Sequence, residues 1–162
     1  MNFASVLFSF SGRINRAKLW LAALFWVVVW VIAVIVLIIL LGRGISDFNP
    51  DDIGGTIATL GTGILVILVV SIPMFISNLA VGIKRLHDRD KSGWWILLFY
   101  FGPVVLDAIG SSIDGSVSYV FSVAGFAIAI WGLVELGFLK GTTGPNQYGP
   151  DPLAPPLGAA AV

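Results

Sequence analysis

The stretch LWLAALFWVVVWVIAVIVLIILL, Leu19–Leu41, runs for 23 residues without a charge and is dense in Val, Ile, Leu and Trp. A helix rising about 1.5 Å per residue needs about 20 such residues to cross a hydrocarbon core about 30 Å thick. The stretch is long enough to span a bilayer. Its β-branched content is no obstacle, because in lipid a backbone must satisfy its own hydrogen bonds and a helix does so most simply. The rest of the composition agrees: 57% of the 162 residues are hydrophobic and 11% are charged, where soluble domains carry about a quarter charged. The mean hydropathy of +0.97 points the same way.

Working outward, Ile53–Ile83 is also free of charge, Gly- and Thr-rich at its start and fully hydrophobic from Ile64, which places a second span at about 60–83. A later uncharged run, Gly115–Val134, whose apolar character continues past Glu135, places another at about 117–139. Between them Gly93–Leu106 is too short to cross alone and contains Gly102-Pro103, so we extend it through Asp107 to Ile113, as a helix kinked at Pro103 over about 93–113. The expected fold is all-α: a polytopic membrane bundle of four transmembrane helices forming one domain over 1–152. Gly141–Pro156 holds three Gly and five Pro, too many to continue a helix, and 153–162 reads as a mobile cytoplasmic tail.

Orientation follows from the basic residues. Arg13, Arg16 and Lys18 precede the first span, Lys84, Arg85, Arg89 and Lys91 separate the second from the third, and Lys140 follows the fourth, which leaves only Arg43 for the alternate loops. Asp47, Asp51, Asp52, Asp107 and Asp114 gather on the opposite side. The positive-inside rule then puts both termini in the cytoplasm. The span of 23 residues exceeds the apolar core of a cleavable signal, so the N-terminus is read as retained. Before it, Phe3, Val6, Leu7 and Phe10 recur at i, i+3, i+4 and i+7, the pattern of a short helix lying in the interface.

Composition also removes several function classes. Nine basic and nine acidic residues cancel, which leaves no cationic excess for nucleic acid. There is no cysteine and a single histidine, His87, so thiolate and multi-histidine metal sites within one chain are excluded and no cofactor is expected. His87-Asp88 has the makings of an oriented general base, but no nucleophile elbow and no second histidine accompany it, and sequence neighbours do not themselves form the required geometry.

The densest polar segment is Lys84-Arg85-Leu86-His87-Asp88-Arg89-Asp90-Lys91-Ser92-Gly93-Trp94-Trp95, between the second and third spans. Read functionally, it is a cationic loop whose Arg85 and Arg89 take a lipid phosphate or an acidic partner; read structurally, it is a positive-inside anchor whose Ser92 caps the next helix. Asp107 and Glu135 are the ionisable candidates within the membrane, Glu135 being placed to pair with Arg85 or Arg13. In the last span Ser118, Ser122, Gly125, Ala129 and Gly132 form a small-residue stripe, suited to packing inside the bundle or to a homo-oligomer seam.

Three blocks together resemble the bacterial inner-membrane family called domain of unknown function 805 (DUF805), the YhaH/YhaI-like proteins. They are Phe10-Ser11-Gly12-Arg13 with Arg16 and Trp20, Lys84–Asp88 with Ser92-Gly93-Trp94-Trp95, and Gly144-Pro145-Asn146-Gln147-Tyr148-Gly149-Pro150-Asp151-Pro152. The resemblance covers about Phe8 to Pro152 and implies a small polytopic protein of a bacterial plasma membrane, with no known reaction attached. It marks Gly12, Arg13, Arg16, Arg85, His87, Asp88, Ser92, Gly93, Trp94, Asn146, Tyr148 and Gly149 as motif positions without assigned roles. All three blocks fall on the expected cytoplasmic side, and we expect them to pack into one polar surface. The resulting expectation is a non-enzymatic interaction or assembly component in contact with membrane lipid, a protein partner or lipid headgroups. The alternative is a small oligomeric transporter or channel with a cation path through Asp107 or Glu135.

Overall fold

The computed structural model describes residues 2–46, 49 and 51–154. Asp47, Phe48 and the end of the expected tail, 155–162, lie outside the described residues. Among the described residues there is no strand. Five α-helices follow one another: α1 Phe3–Phe8, α2 Arg16–Ser46, α3 Ile53–Asp88, α4 Trp95–Ser111 and α5 Val117–Leu133, the last running into a π-helical turn at Val134–Phe138. Three helical stretches are long and apolar enough to cross a membrane, Arg16–Gly44, Ile53–Asp88 and Val117–Phe138, with Trp95–Ser111 shorter. Helix α4 continues through Pro103 and Asp107. Its 17 residues rise about 26 Å, just under a hydrocarbon core.

Contacts group the chain into two compact units, 21–78 and the remainder. In the first unit, the later part of α2 pairs antiparallel with the earlier part of α3. A Cβ on Gly44 would meet Thr59, one on Gly63 would lie 3.7 Å from Leu37, and Trp26 Nε1 donates to Ser77 Oγ at 2.9 Å, both side chains buried. Among the half-buried or buried positions of α3 here, Thr56, Thr59, Gly63, Val66, Val70, Met74 and Ser77 recur at steps of three and four, one face of the helix. The remaining faces are apolar and exposed, as lipid contact requires.

In the second unit, α4 and α5 form a tight hairpin. Gly125 sits against the backbone of Pro103, where a Cβ would lie 3.2 Å from the Pro103 carbonyl oxygen, and Gly132 sits against Phe99, with 3.0 Å left for a Cβ. The sequence stripe divides here: Gly125 and Gly132 are buried and Ser118 half-buried, whereas Ser122 and Ala129 are exposed. The packed face instead runs Ser118, Phe121, Gly125, Ile128, Gly132 and Glu135. Leu86, Ile96 and Phe99 make the core cluster between α3 and α4, with Leu79, Ile83, Tyr100, Ile128 and Leu136 around it.

Two local expectations are corrected. The segment Lys84–Asp88 is not loop but the last turns of α3, which ends at Asp88 and closes through Arg89 and Asp90. Asp90 adopts φ 57°, Lys91 N donates to Leu86 O at 2.9 Å and Asp90 N to His87 O at 3.1 Å, the paired bonds of a Schellman motif. Asp tolerates this left-handed conformation better than most non-glycine residues. Ser92 does not cap α4 at its N-cap position, which is Trp94; its hydroxyl only accepts a long bond from Trp94 N, 3.4 Å. The expected short N-terminal helix forms as α1 but stops at Phe8, before Phe10. Val6 and Leu7 are buried in protein, while Phe3 and Phe10 are 44% and 47% exposed, so only half of the apolar face meets protein.

Gly125→Ala is expected to cost about 1–3 kcal/mol, because the atom it meets is backbone and cannot rotate away. Ala129→Leu, on the exposed side of the same helix, is expected to stay within about 0.5 kcal/mol. Reversible unfolding in detergent measures both; equal costs would mean that the packed face has been misassigned. Asp90→Val should lower stability by about 1–2 kcal/mol through its β-branched side chain at positive φ, and Asp90→Gly should not.

Candidate functional site

The end of α3 carries two faces at once. Leu79, Ile83 and Leu86 turn toward α4, and Arg85 and Asp88, three residues apart, share the other face as helix periodicity requires. Asp88 is 3% exposed and lies between two guanidinium groups. Arg13 brings Nη2 to 3.1 Å and Nε to 3.2 Å of Oδ1, and Arg85 Nη1 bonds Oδ2. Arg13 and Arg85 are themselves 4% and 0% exposed. One carboxylate cannot balance two buried cations, and the remaining donors go to backbone oxygen. Arg13 donates from Nη1 to Gly144 O at 2.7 Å and to Gly149 O at 3.2 Å, and from Nη2 to Thr142 O at 2.6 Å. Arg85 donates to Leu136 O at 2.8 Å and to Leu139 O.

Those last oxygens belong to the π-helical turn and its exit. Five successive carbonyls, Leu136 to Lys140, accept in turn from Arg85, Trp20 (3.1 Å), Arg16 (2.7 Å), Arg85 again and Arg89 (2.6 Å). A helix C-terminus leaves its last carbonyls unpaired and partly negative, so guanidinium and indole donors are the natural closure. Lys84 does the same for α1, its ammonium donating to the carbonyls of Ser5 at 2.8 Å and Val6 at 2.5 Å. Glu135, also buried, accepts from Arg89 Nε and Lys91 Nζ, both at 2.9 Å. The pairing of Glu135 with Arg85 or Arg13 expected from sequence is replaced by these two, because Arg85 and Arg13 both face Asp88. Asp107 is exposed on α4.

The C-terminal block folds over this group. Asn146 Nδ2 donates to His87 O at 2.8 Å and to Thr142 Oγ1 at 3.0 Å, and Thr142 N donates to Asp88 O at 2.8 Å. Asn146 and Gly149 exchange backbone bonds at 3.1 Å, closing a turn in which Gly149 has φ 133° and Tyr148 N donates to Asn146 Oδ1 at 2.9 Å. Tyr148 then stacks on His87, centroids 3.8 Å apart and planes at 4°. His87 Nδ1 in turn lies 3.3 Å from Gly12 O. Asp151 holds the far side of the turn, accepting from the backbone N–H groups of Leu153 and Gly144. These bonds keep its carboxyl below the usual aspartate range. A carboxyl lowered in the folded chain adds stability that is full above its ordinary range and is lost as pH falls below that range through the lowered value.

The structure thus brings together Gly12, Arg13, Arg16, Arg85, His87, Asp88, Asn146, Tyr148 and Gly149. Ser92 and Gly93 stand beside His87, and Trp94 is 78% exposed. Asp107 and the stripe residues of α5 stay outside the group, while Glu135 joins its edge through Arg89. Gly141 and Thr142 were missed in sequence, and Lys84 and Gly144, though inside the quoted blocks, were not marked as site positions. Gly141 carried a signal only in retrospect, since a Cβ there would overlap the Asp88 carboxylate. Among the described residues, every buried side-chain nitrogen or oxygen has a hydrogen-bond partner.

Asp88→Asn leaves two buried guanidiniums without their counter-charge and is expected to cost about 3–5 kcal/mol. Gly141→Ala should cost about 1–3 kcal/mol by displacing the same carboxylate. A double-mutant cycle between Asp88 and Asn146 should show a coupling of about 0.5–3 kcal/mol; strict additivity would mean that the C-terminal turn does not share this network.

With this geometry in hand, the chain can be set beside known proteins. It matches the family profile described as Protein of unknown function (DUF805) over residues 7–150. It is 30% identical to Uncharacterized protein YiiR of Escherichia coli (strain K12) over 154 residues, 93% of this chain and 90% of that protein. Inner membrane protein YhaH of the same organism is 29% identical over 147 residues, 91% and 89% of the two chains. Inner membrane protein YhaI is 30% identical over 145 residues, 88% and 85%. No solved structure matches significantly. The matched region contains the whole Arg13–Asp88–Arg85 group and all the membrane-length helices. The chain belongs to the DUF805 family and is a bacterial integral membrane protein with inner-membrane relatives.

Proposed function

We propose that this is a four-span inner-membrane protein with both termini in the cytoplasm, acting as a non-enzymatic interaction or assembly component. The carrying observation is the Arg13–Asp88–Arg85 group, which ties three remote sequence blocks into one face and leaves its buried polar atoms fully engaged. Such a group makes a rigid platform, because its buried donors and acceptors are already committed to one another. Orientation is supported by the distribution of basic residues, of which only Arg43 stands apart from the end that carries the three blocks.

The partner surface in this reading is the exposed rim: Thr143, Pro145, Gln147 and Pro150 of the C-terminal turn, with Asp90 at the end of α3. Arg85 is not part of it, being fully buried. The cation-path alternative draws no support from the placement of its residues. Glu135 is held by Arg89 and Lys91, and Asp107 is exposed on α4.

Reporter fusions after Asn49, at Ser116 and at Ala154 test the orientation: the first two should report the periplasm and the last the cytoplasm. A cytoplasmic Asn49 would overturn it. A photo-crosslinking residue at Gln147 should give one defined adduct in cells, lost when Arg13→Lys loosens the platform. Adducts spread over many species, or one unaffected by Arg13→Lys, would remove the docking role.

A further inference from the structure

Four cations lie between Lys84 and Lys91, and each is already engaged: Lys84 by the α1 carbonyls, Arg85 by Asp88, Arg89 and Lys91 by Glu135. A phosphate site built on this segment therefore lacks its donors. Beside it, however, α3 and α4 border an open cleft of about 410 Å³, within the range of about 300–1,000 Å³ common for small-molecule sites. Leu79 and Ile83 of α3 and Ile96 and Leu97 of α4 form its walls. His87, Ser92, Trp94 and Tyr148 form its rim, and among its described lining residues there is no Lys, Arg, Asp or Glu.

The rim has a definite hydrogen-bonding sense. Nδ1 of His87 faces Gly12 O, an atom that only accepts, so Nδ1 carries the proton and Nε2 of the neutral ring presents a lone pair. Stacking on Tyr148 holds the ring in this plane. Nε2 looks over Gly93, where a Cβ would lie 3.5 Å from it and 3.0 Å from Ile83 Cγ2, so the glycine keeps that corner open. At the mouth, Trp94 is almost wholly exposed and Leu97 is 44% exposed, which makes the cleft continuous with the apolar outer surface of α4.

An acceptor nitrogen, a hydroxyl and an indole face without a competing cation suit a small cation that carries N–H donors. Its charge is met by the indole and its protons by Nε2 and Ser92 Oγ. The apolar walls suit an acyl chain attached to the same molecule. We propose that this cleft binds a membrane phospholipid with a primary ammonium headgroup, of the phosphatidylethanolamine class, with the ammonium at His87 and a chain against Leu79, Ile83 and Leu97. The proposal rests on the orientation above, which sets the cleft at the inner membrane–water boundary; the reporter fusions test that orientation separately, so its failure and a failure of lipid selectivity are distinguishable.

The test is native mass spectrometry of the full chain titrated in mixed micelles with phosphatidylethanolamine, phosphatidylcholine or phosphatidylglycerol of identical acyl chains. Phosphatidylethanolamine should be retained about tenfold more tightly than phosphatidylcholine, which has no N–H to donate. His87→Phe keeps a ring for Tyr148 but removes the acceptor, and should bring the two lipids to near parity. Leu97→Trp, at an exposed position where folding is not at stake, should fill the cleft and weaken retention with an unchanged melting temperature. Equal retention of the two lipids by the native chain, preference for phosphatidylglycerol, a preference that survives His87→Phe, or retention indifferent to Leu97→Trp would each overturn the proposal.

Discussion

The buried Asp88 carboxylate, gripped by Arg13 from the N-terminal segment and by Arg85 one turn back on its own helix, is the constraint on which the polar half of the structure depends. Buried charge is costly unless paired and hydrogen-bonded, so each guanidinium must reach further partners, and those it finds are carbonyls of segments far away in sequence. Thr142, Gly144 and Gly149 are drawn to Arg13, and Leu136 and Leu139 to Arg85. Chain connectivity does not enforce this convergence. The need to satisfy two cations beside one anion does.

The same need explains the irregular end of α5. A π-helical turn carries one extra residue, and here it closes on Leu139 N bonding Val134 O at 3.1 Å, after which the chain extends. The carbonyls from Leu136 to Lys140 thereby face donors from α2, α3 and the segment after α3. Cationic side chains that a topology rule counts as charges at a membrane boundary act here as caps on helix ends. The two roles are compatible, because the boundary is where helices that cross a membrane begin and end.

Much of the architecture was legible in the sequence. Long charge-free runs read directly as α2, α3 and α5, since a bilayer of fixed thickness turns hydrophobic length into helix length. The three blocks could be recognised together as a family pattern, and their residues do meet. What the sequence misplaced were local features with weak signatures. The charged run Lys84–Asp88 looked like loop because polarity is commonly read as loop, yet it continues α3 with its charges on one buried face. In α5 small residues appear on two neighbouring faces, and nothing in their spacing told that Gly125 and Gly132 meet α4 while Ser122 and Ala129 do not. Gly141 and Thr142 were passed over because a glycine after a helix usually marks a stop, here combined with close approach to a carboxylate.

By itself the sequence determined that this chain is helical, that it is built to lie in a membrane, and to which family it belongs; these follow from composition, hydrophobic length and residue motifs, which are properties of the chain read in order. Only the tertiary structure decided which charges pair. Arg13 and Asp88 stand 75 residues apart, and Glu135 takes Arg89 and Lys91 rather than the arginines that Asp88 has already claimed. Pairing among several buried ions is a competition settled by distance and geometry once the helices have packed, and no spacing along the chain encodes its outcome.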